Sequence, residues 1–133
     1  MYSQDGTLNT SFNSADIHLF NGADFDVSKT ILQPDGKILI AGGFENYDGV
    51  YKRAIVRLNA DGTFDYTFNN LGSGANGPIY DVALQPDGKI IIVGYFNYYN
   101  GVPTKCIMRL NSDGSVDPTF YYSKGVNNIV DVW

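Results

Sequence analysis

One relation governs what this chain can fold into: a shift of 52 residues lays positions 33–68 over positions 85–120 without a gap. QPDGKILIAGGFENYDGVYKRAIVRLNADGTFDYTF falls on QPDGKIIIVGYFNYYNGVPTKCIMRLNSDGSVDPTF, and 21 of the 36 positions are identical. Self-similarity at a fixed period of this size marks a solenoid, a propeller or an array of supersecondary units. The repeated stretch is therefore a structure made once and stacked.

Four strands are expected in each unit. VSKTILQ (27–33) and IYDVALQ (79–85) supply the first, with Tyr80, Val82 and Leu84 alternating against Asp81 and Gln85. PDG then reads as a type I turn, in which Asp35-Gly36 and Asp87-Gly88 close a hairpin. The second strand, KILIAGGF (37–44) or KIIIVGYF (89–96), is a continuous apolar run of the kind buried on both faces. ENYDGVYK and NYYNGVPT read as a longer loop with turn signals at Asp48-Gly49 and Asn100-Gly101. RAIVRLN and KCIMRLN give the third strand, followed by turns at Asp61-Gly62 and Asp113-Gly114. TFDYTF and SVDPTF give a fourth strand, shorter and more polar, in which Pro118 lacks an amide donor and suits an outer edge. No part of the unit reads as a helix.

A lone four-stranded meander buries little and must stack its apolar faces on neighbours, which as a radial stack is a β-propeller. A β-sandwich is the competing all-β fold, but it does not predict a near-identical 52-residue period. The chain is thus expected to be one all-β repeat domain (1–133) with two main antiparallel blades, 27–68 and 79–120. Residues 1–12, through DGTLNTSF (5–12), read as an outer strand of a preceding blade, and NNIVDVW (127–133) as the first strand of a following one. Propellers close with roughly four to eight blades. The expected partners therefore include further blades of the same or neighbouring chains.

Composition agrees with a globular β protein. Hydrophobic residues are 44% and charged residues 17%, with ten Tyr, eight Phe and fifteen Gly. No run approaches the roughly 20 apolar residues of a membrane-spanning helix, and MYSQDGTLNTSF does not read as a signal peptide. A net charge of −5 with scattered cations argues against nucleic acid and anionic membranes as partners.

The chemistry-bearing residues read mostly as scaffold. Cys106 is the only cysteine; its counterpart in the repeat is Ala54, which makes it a small packing residue rather than a nucleophile. Asn59, Asp61 and Asp65, and again Asn111, Asp113 and Asp117, stand at calcium-ligand spacing. The first and twelfth loop positions, however, fall on Arg57 or Arg109 and on Phe68 or Phe120, so turns capped by Asx side chains are preferred. Asp35 with Asp87, or Asp65 with Asp117, could be set against glycoside hydrolysis, but residues repeated on successive units are scaffold rather than a singular catalytic pair. His18 is the only histidine and has no zinc-ligand neighbours. Arg57 and Arg109 are expected in ion pairs or hydrogen bonds to carbonyls and an Asp of the next blade. No catalytic, cofactor or metal site is expected. Tyr47 and Tyr99 share one register and are expected to pack. Tyr51 and Tyr98 do not, and are the candidates for surface recognition of a protein or a glycan.

QPDGKILIAGGF, YDGV and IVRLNADGTFDYTF together resemble the delta-60 repeat, a β-propeller repeat family. Its pattern is an LQPDGKI hairpin, a G-F strand end, a Y-N-G-V loop and an RLN-x-DG-x-x-D-x-x-F close. Both copies here carry these parts, from Leu32 to Phe68 and from Leu84 to Phe120, whereas residues 13–26 fit least. Such repeats occur as arrays in bacterial secreted or surface proteins and in phage tail and other virion proteins, with no catalytic residues on the repeat itself. The resemblance implies a non-enzymatic structural or interaction module of a phage virion, in its tail, fibre or baseplate, serving assembly or host attachment. Its partners would be other virion or surface proteins, with glycan a further candidate. The alternative it leaves open is a bacterial secreted or cell-surface propeller binding glycan or protein.

Overall fold

Strand-forming sequence punctuated by Gly and Asx turns folds as the repeat dictates. The computed structural model of the protein describes residues 22–120; the strands expected in 1–12 and 127–133 lie outside them. Its elements are β1 (Val27–Leu32), β2 (Ile38–Gly42), β3 (Asn46–Tyr47), β4 (Val50–Tyr51), β5 (Ile55–Leu58), β6 (Ile79–Leu84), β7 (Ile90–Gly94), β8 (Tyr98–Tyr99), β9 (Val102–Pro103) and β10 (Ile107–Leu110). β1-β2-β5 form one antiparallel sheet and β6-β7-β10 a second, with β3-β4 and β8-β9 as separate two-stranded ribbons. Among the described residues there is no helix.

β2 and β7 are the middle strands, and their apolar runs are buried on both faces. Leu39, Ile40 and Ala41 are all buried, as are Ile90, Ile92 and Val93. Because successive side chains of a strand point to opposite faces, the sorting of these residues shows how the sheets stack. Leu39 and Ala41 of β2 join Ile90 and Ile92 of β7 in one apolar cluster, along with Ile55, Ile79, Val82, Met108 and Leu110. Ile40, with Phe44, Val56 and Leu58, forms a second cluster on the opposite face of the first sheet. Ile40 and Ile92 are equivalent in the repeat, as are Leu39 and Ile91. The odd-numbered face of one unit therefore packs on the even-numbered face of the next. This is head-to-tail stacking, the arrangement of successive propeller blades, and not the face-to-face pairing of a sandwich. Each fully buried Ile or Leu at the junction contributes about 1.5–3 kcal/mol.

Three expectations are corrected. The first strand does not alternate simply: in β6 the pairing skips between Ile79 and Asp81. That bulge turns Ile79 and Val82 inward and leaves Tyr80 exposed. The fourth strand shrinks to single bridges, Leu58 to Phe64 and Leu110 to Val116. Its amides are drawn into turns instead, since Asp65 accepts from the Thr67 N–H and Asp117 from the Thr119 N–H, each at 3.0 Å. The expected loop between second and third strands is a hairpin in each unit, β3-β4 and β8-β9. Asp48 (φ 49°) and Gly49 (φ 76°), and likewise Asn100 (49°) and Gly101 (77°), both take positive φ. That is the two-residue turn whose twist matches antiparallel strands.

Candidate functional site

The turns come first, because they position everything else. Gly36 N–H donates to Gln33 O and Gly88 N–H to Gln85 O, each at 2.9 Å. Asp35 Oδ1 accepts from Lys37 N–H and Asp87 Oδ1 from Lys89 N–H, each at 3.0 Å. At the second turn Asp61 accepts from both the amide and the hydroxyl of Thr63, and Asp113 does the same with Ser115. Those bonds hold the Asp61 and Asp113 carboxyls below the usual carboxylate range. Gly36, Gly62, Gly88 and Gly114 all adopt the left-handed conformation these tips require.

Beside the second turn lies a charged cluster written twice. Asp65 Oδ2 accepts from Arg57 Nε at 2.8 Å and pairs with Lys37 Nζ at 3.2 Å, while its Oδ1 accepts from Thr67 Oγ1 at 2.6 Å. Asp117 is held likewise by Arg109 Nε (2.8 Å), Lys89 Nζ (3.3 Å) and Thr119 Oγ1 (2.7 Å). Burial opposes ionisation of Asp65, but the bonds from Thr67, Arg57 and Lys37 outweigh it and hold the carboxyl far below its ordinary value. Asp117 is depressed too, by Thr119 first and then by Arg109 and Lys89. A carboxylate so saturated with donors is a poor general base. Lys37 also donates to Asn59 Oδ1 and Lys89 to Asn111 Oδ1, so oxygens spaced as for calcium accept from cations of the protein itself. Among the described residues no three His, Cys, Asp or Glu side chains converge on a point.

The arginines also stack on aromatic rings, Arg57 over Phe68 at 4.8 Å and Arg109 over Phe120 at 5.2 Å. Arg57 Nη1 crosses to the second unit and donates to Ser112 O at 2.8 Å. Its Asp partner, though, belongs to its own unit rather than to the next blade. The expected Asp of the next blade is met only at longer range, where the Arg57 charge helps to lower the Asp113 carboxyl; the hydrogen-bonded partner is Asp65, returned beside β5 by the turn that ends it. Between the hairpin tips Gln33, Pro34 and Asp35 of one unit and Gln85, Pro86 and Asp113 of the next border a groove of about 420 Å³.

The tyrosines divide by register. Tyr99 is fully buried and donates its hydroxyl to Gly114 O at 2.9 Å. Burial, aided by the nearby Asp113 charge, pushes its ionisation well above the ordinary phenol value. Tyr47 is half-buried between Phe44 and Phe64, with ring centroids at 6.1 and 6.5 Å. Tyr51 is 56% exposed and Tyr98 47% exposed, each on the hairpin of its own unit. Sequence reasoning missed further exposed aromatics, Phe25, Tyr66, Tyr80 and Tyr95. Tyr95, at 74%, is the most open tyrosine among the described residues and borders a second groove of about 660 Å³ with Asn76, Pro78, Phe96, Lys105 and Cys106. Its signal was the mismatch with Gly43 in an otherwise apolar strand.

The turn-capping aspartates, the doubled arginine cluster and the head-to-tail sheets are thus all properties of a repeated unit. No curated protein and no solved structure matches the chain significantly. A family described as a domain of unknown function (DUF5122) beta-propeller matches residues 33–68 and again residues 85–120, more than half of the chain. The two matches coincide with the two copies of the repeat, and the chain belongs to that β-propeller family.

Proposed function

We propose that the protein is a non-enzymatic interaction module, a delta-60-type propeller segment that serves assembly or host attachment in a phage virion. One observation carries the non-enzymatic part: the repeated carboxylates Asp61, Asp65, Asp113 and Asp117 are each taken up by donors of their own unit. Exposed aromatic surface remains, and Tyr51 and Tyr98 present part of it on the hairpins of the two units. Tyrosine offers flat, amphipathic contact area at low entropic cost, which suits a protein or glycan partner. Similar surfaces on successive blades would strengthen weak contacts by multivalency. The virion setting is supported by the resemblance of the repeat to those of tail proteins.

Immunogold labelling with an antibody to the chain tests the setting, with label expected on phage tails. Label on bacterial envelopes and none on particles would move the role to a secreted or cell-surface propeller. Attachment is tested by competition: purified protein is expected to slow adsorption of phage to its host. The Tyr51→Ala, Tyr98→Ala double variant is expected to weaken that competition by about tenfold, on the scale of a truncated hot spot.

A further inference from the structure

The connection between the two units is itself a strand-like link. Residues 73–76 run between Arg53 of the first unit and β8 of the second. On one side Arg53 N–H donates to Ser73 O at 2.9 Å and Ala75 N–H to Arg53 O at 3.3 Å, around a parallel bridge of Arg53 with Gly74. On the other side Asn100 N–H donates to Gly74 O, and Asn76 N–H to Tyr98 O. Gly74 has φ +91°, and a Cβ there would lie inside the Arg53 carbonyl oxygen. Backbone meets backbone, so glycine is required. Residues 22–24 repeat the inner half of the pattern: Asp48 N–H donates to Gly22 O, and Asp24 N–H to Asn46 O. Gly-Ala-Asp (22–24) and Gly-Ala-Asn (74–76) are therefore one connecting element, written at the entrance of each unit.

In the second unit the residues equivalent to Lys52, Arg53 and Ala54 are Thr104, Lys105 and Cys106. The Lys105 amide and carbonyl have no partner among the described residues. Cys106 is only partly buried, whereas Ala54, beneath the link, is buried. Beside them opens the groove lined by Tyr95 and Pro78. The chain continues beyond the described residues as Lys124-Gly125-Val126-Asn127-Asn128-Ile129-Val130-Asp131-Val132. Set against Ser73-Gly74-Ala75-Asn76-Gly77-Pro78-Ile79-Tyr80-Asp81-Val82, it keeps the glycine, the asparagine and the Ile-x-Asp-Val, and drops one residue at Gly77-Pro78. The groove compensates that deletion. Pro78 sits where a Cβ on Gly43 would be 3.7 Å from its own Cβ, and at the equivalent place on the second unit stands the large side chain of Tyr95.

We propose that the open edge at Lys105, with the groove beside it, is the receptor for this chain's own segment 124–127. Gly125 pairs in parallel with Lys105 as Gly74 pairs with Arg53, and Tyr95 fills the room of the missing proline. This rests on the fold and the repeat, not on the attachment role, and stands or falls separately from it. One difference sets its strength. Lys52 Nζ donates to the carbonyls of Asn69, Asn70 and Gly72 at 2.6–3.1 Å, and Thr104 is too short to do so. The second link is therefore held less tightly than the first.

Hydrogen exchange on the full chain tests the pairing, with reaction of Cys106 toward a thiol reagent as a second measurement. In the unaltered protein the Lys105 amide is expected to exchange at least about tenfold slower than an open amide, independently of protein concentration, yet faster than the Arg53 amide. Gly125→Ala and Gly125→Val are expected to abolish the Lys105 protection and to raise the Cys106 reaction rate, while the Arg53 amide stays protected. An unprotected Lys105 amide in the unaltered chain overturns the proposal with no variant needed. So does protection that survives both substitutions, or protection that rises with concentration, which would make a second copy the occupant.

Discussion

Arg57 and Asp65 meet at 2.8 Å with the carboxylate almost wholly buried. Removing Arg57 takes a charged donor from a buried carboxylate that Lys37 and Thr67 still hold. Arg57→Ala is expected to cost about 3 kcal/mol in chemical denaturation. Tyr99→Phe should cost about 1 kcal/mol, by leaving Gly114 O without its buried donor. The depressed carboxyls of Asp65 and Asp117 also set a pH dependence. Their folded values lie below the unfolded value of about 3.9, so the unfolded chain binds more protons in the interval between them. The stabilisation is complete above about pH 5 and is lost as pH falls through that interval. Denaturant midpoints flat from neutral pH to pH 5 and falling below it would bear this out; midpoints that rise on acidification would contradict it. At this scale the sequence was partly legible. The turn roles of Asp61 and Asp113 follow from their place before glycine. The saturation of Asp65 by Lys37 does not, because the lysine arrives from a hairpin far away in sequence and only the folded register brings it near.

Glycines with the same backbone sign differ in consequence at the level of the element. Gly101 has φ +77° with open space around its missing side chain, whereas Gly74 has φ +91° against the Arg53 carbonyl. Gly101→Ala should therefore cost about 1 kcal/mol of left-handed strain alone. Gly74→Ala should cost about 3 kcal/mol or more, because the link must lift off its neighbour. Thermal melts of the two variants compare them directly, and equal losses would show that the link is not held at Arg53. Middle strands β2 and β7 were readable from unbroken apolar runs. The hairpins β3-β4 and β8-β9 were read as loops, since two-residue strands are too short to display a period. TFDYTF looked more like a strand than it is, because an Asx turn at Asp65 competes for the amides that a ladder would need. The bulge at Tyr80 left no local mark at all: which residue is skipped is decided by pairing with β7.

The two units of the whole molecule share one apolar cluster, so they are expected to unfold together. Ile55→Ala, in the first unit but buried against the second, should cost about 2–5 kcal/mol. It should also lower the protection of Ile90 and Ile92 amides along with its own unit's. Second-unit amides that kept their protection would uncouple the blades. The stacking itself was legible in the 52-residue period, but its direction was not, since a repeat alone does not say whether like or unlike faces meet. The segregation of Leu39 and Ile40 into different clusters supplies that answer. Because the surfaces that meet are unlike, each blade has a front and a back, and growth of the array is polarised. A newcomer can join only in the same sense as its predecessor, so two identical ends brought together would find no matching contacts. Separate copies can thus add to one another only front to back, the heterologous contact that builds rings or open arrays.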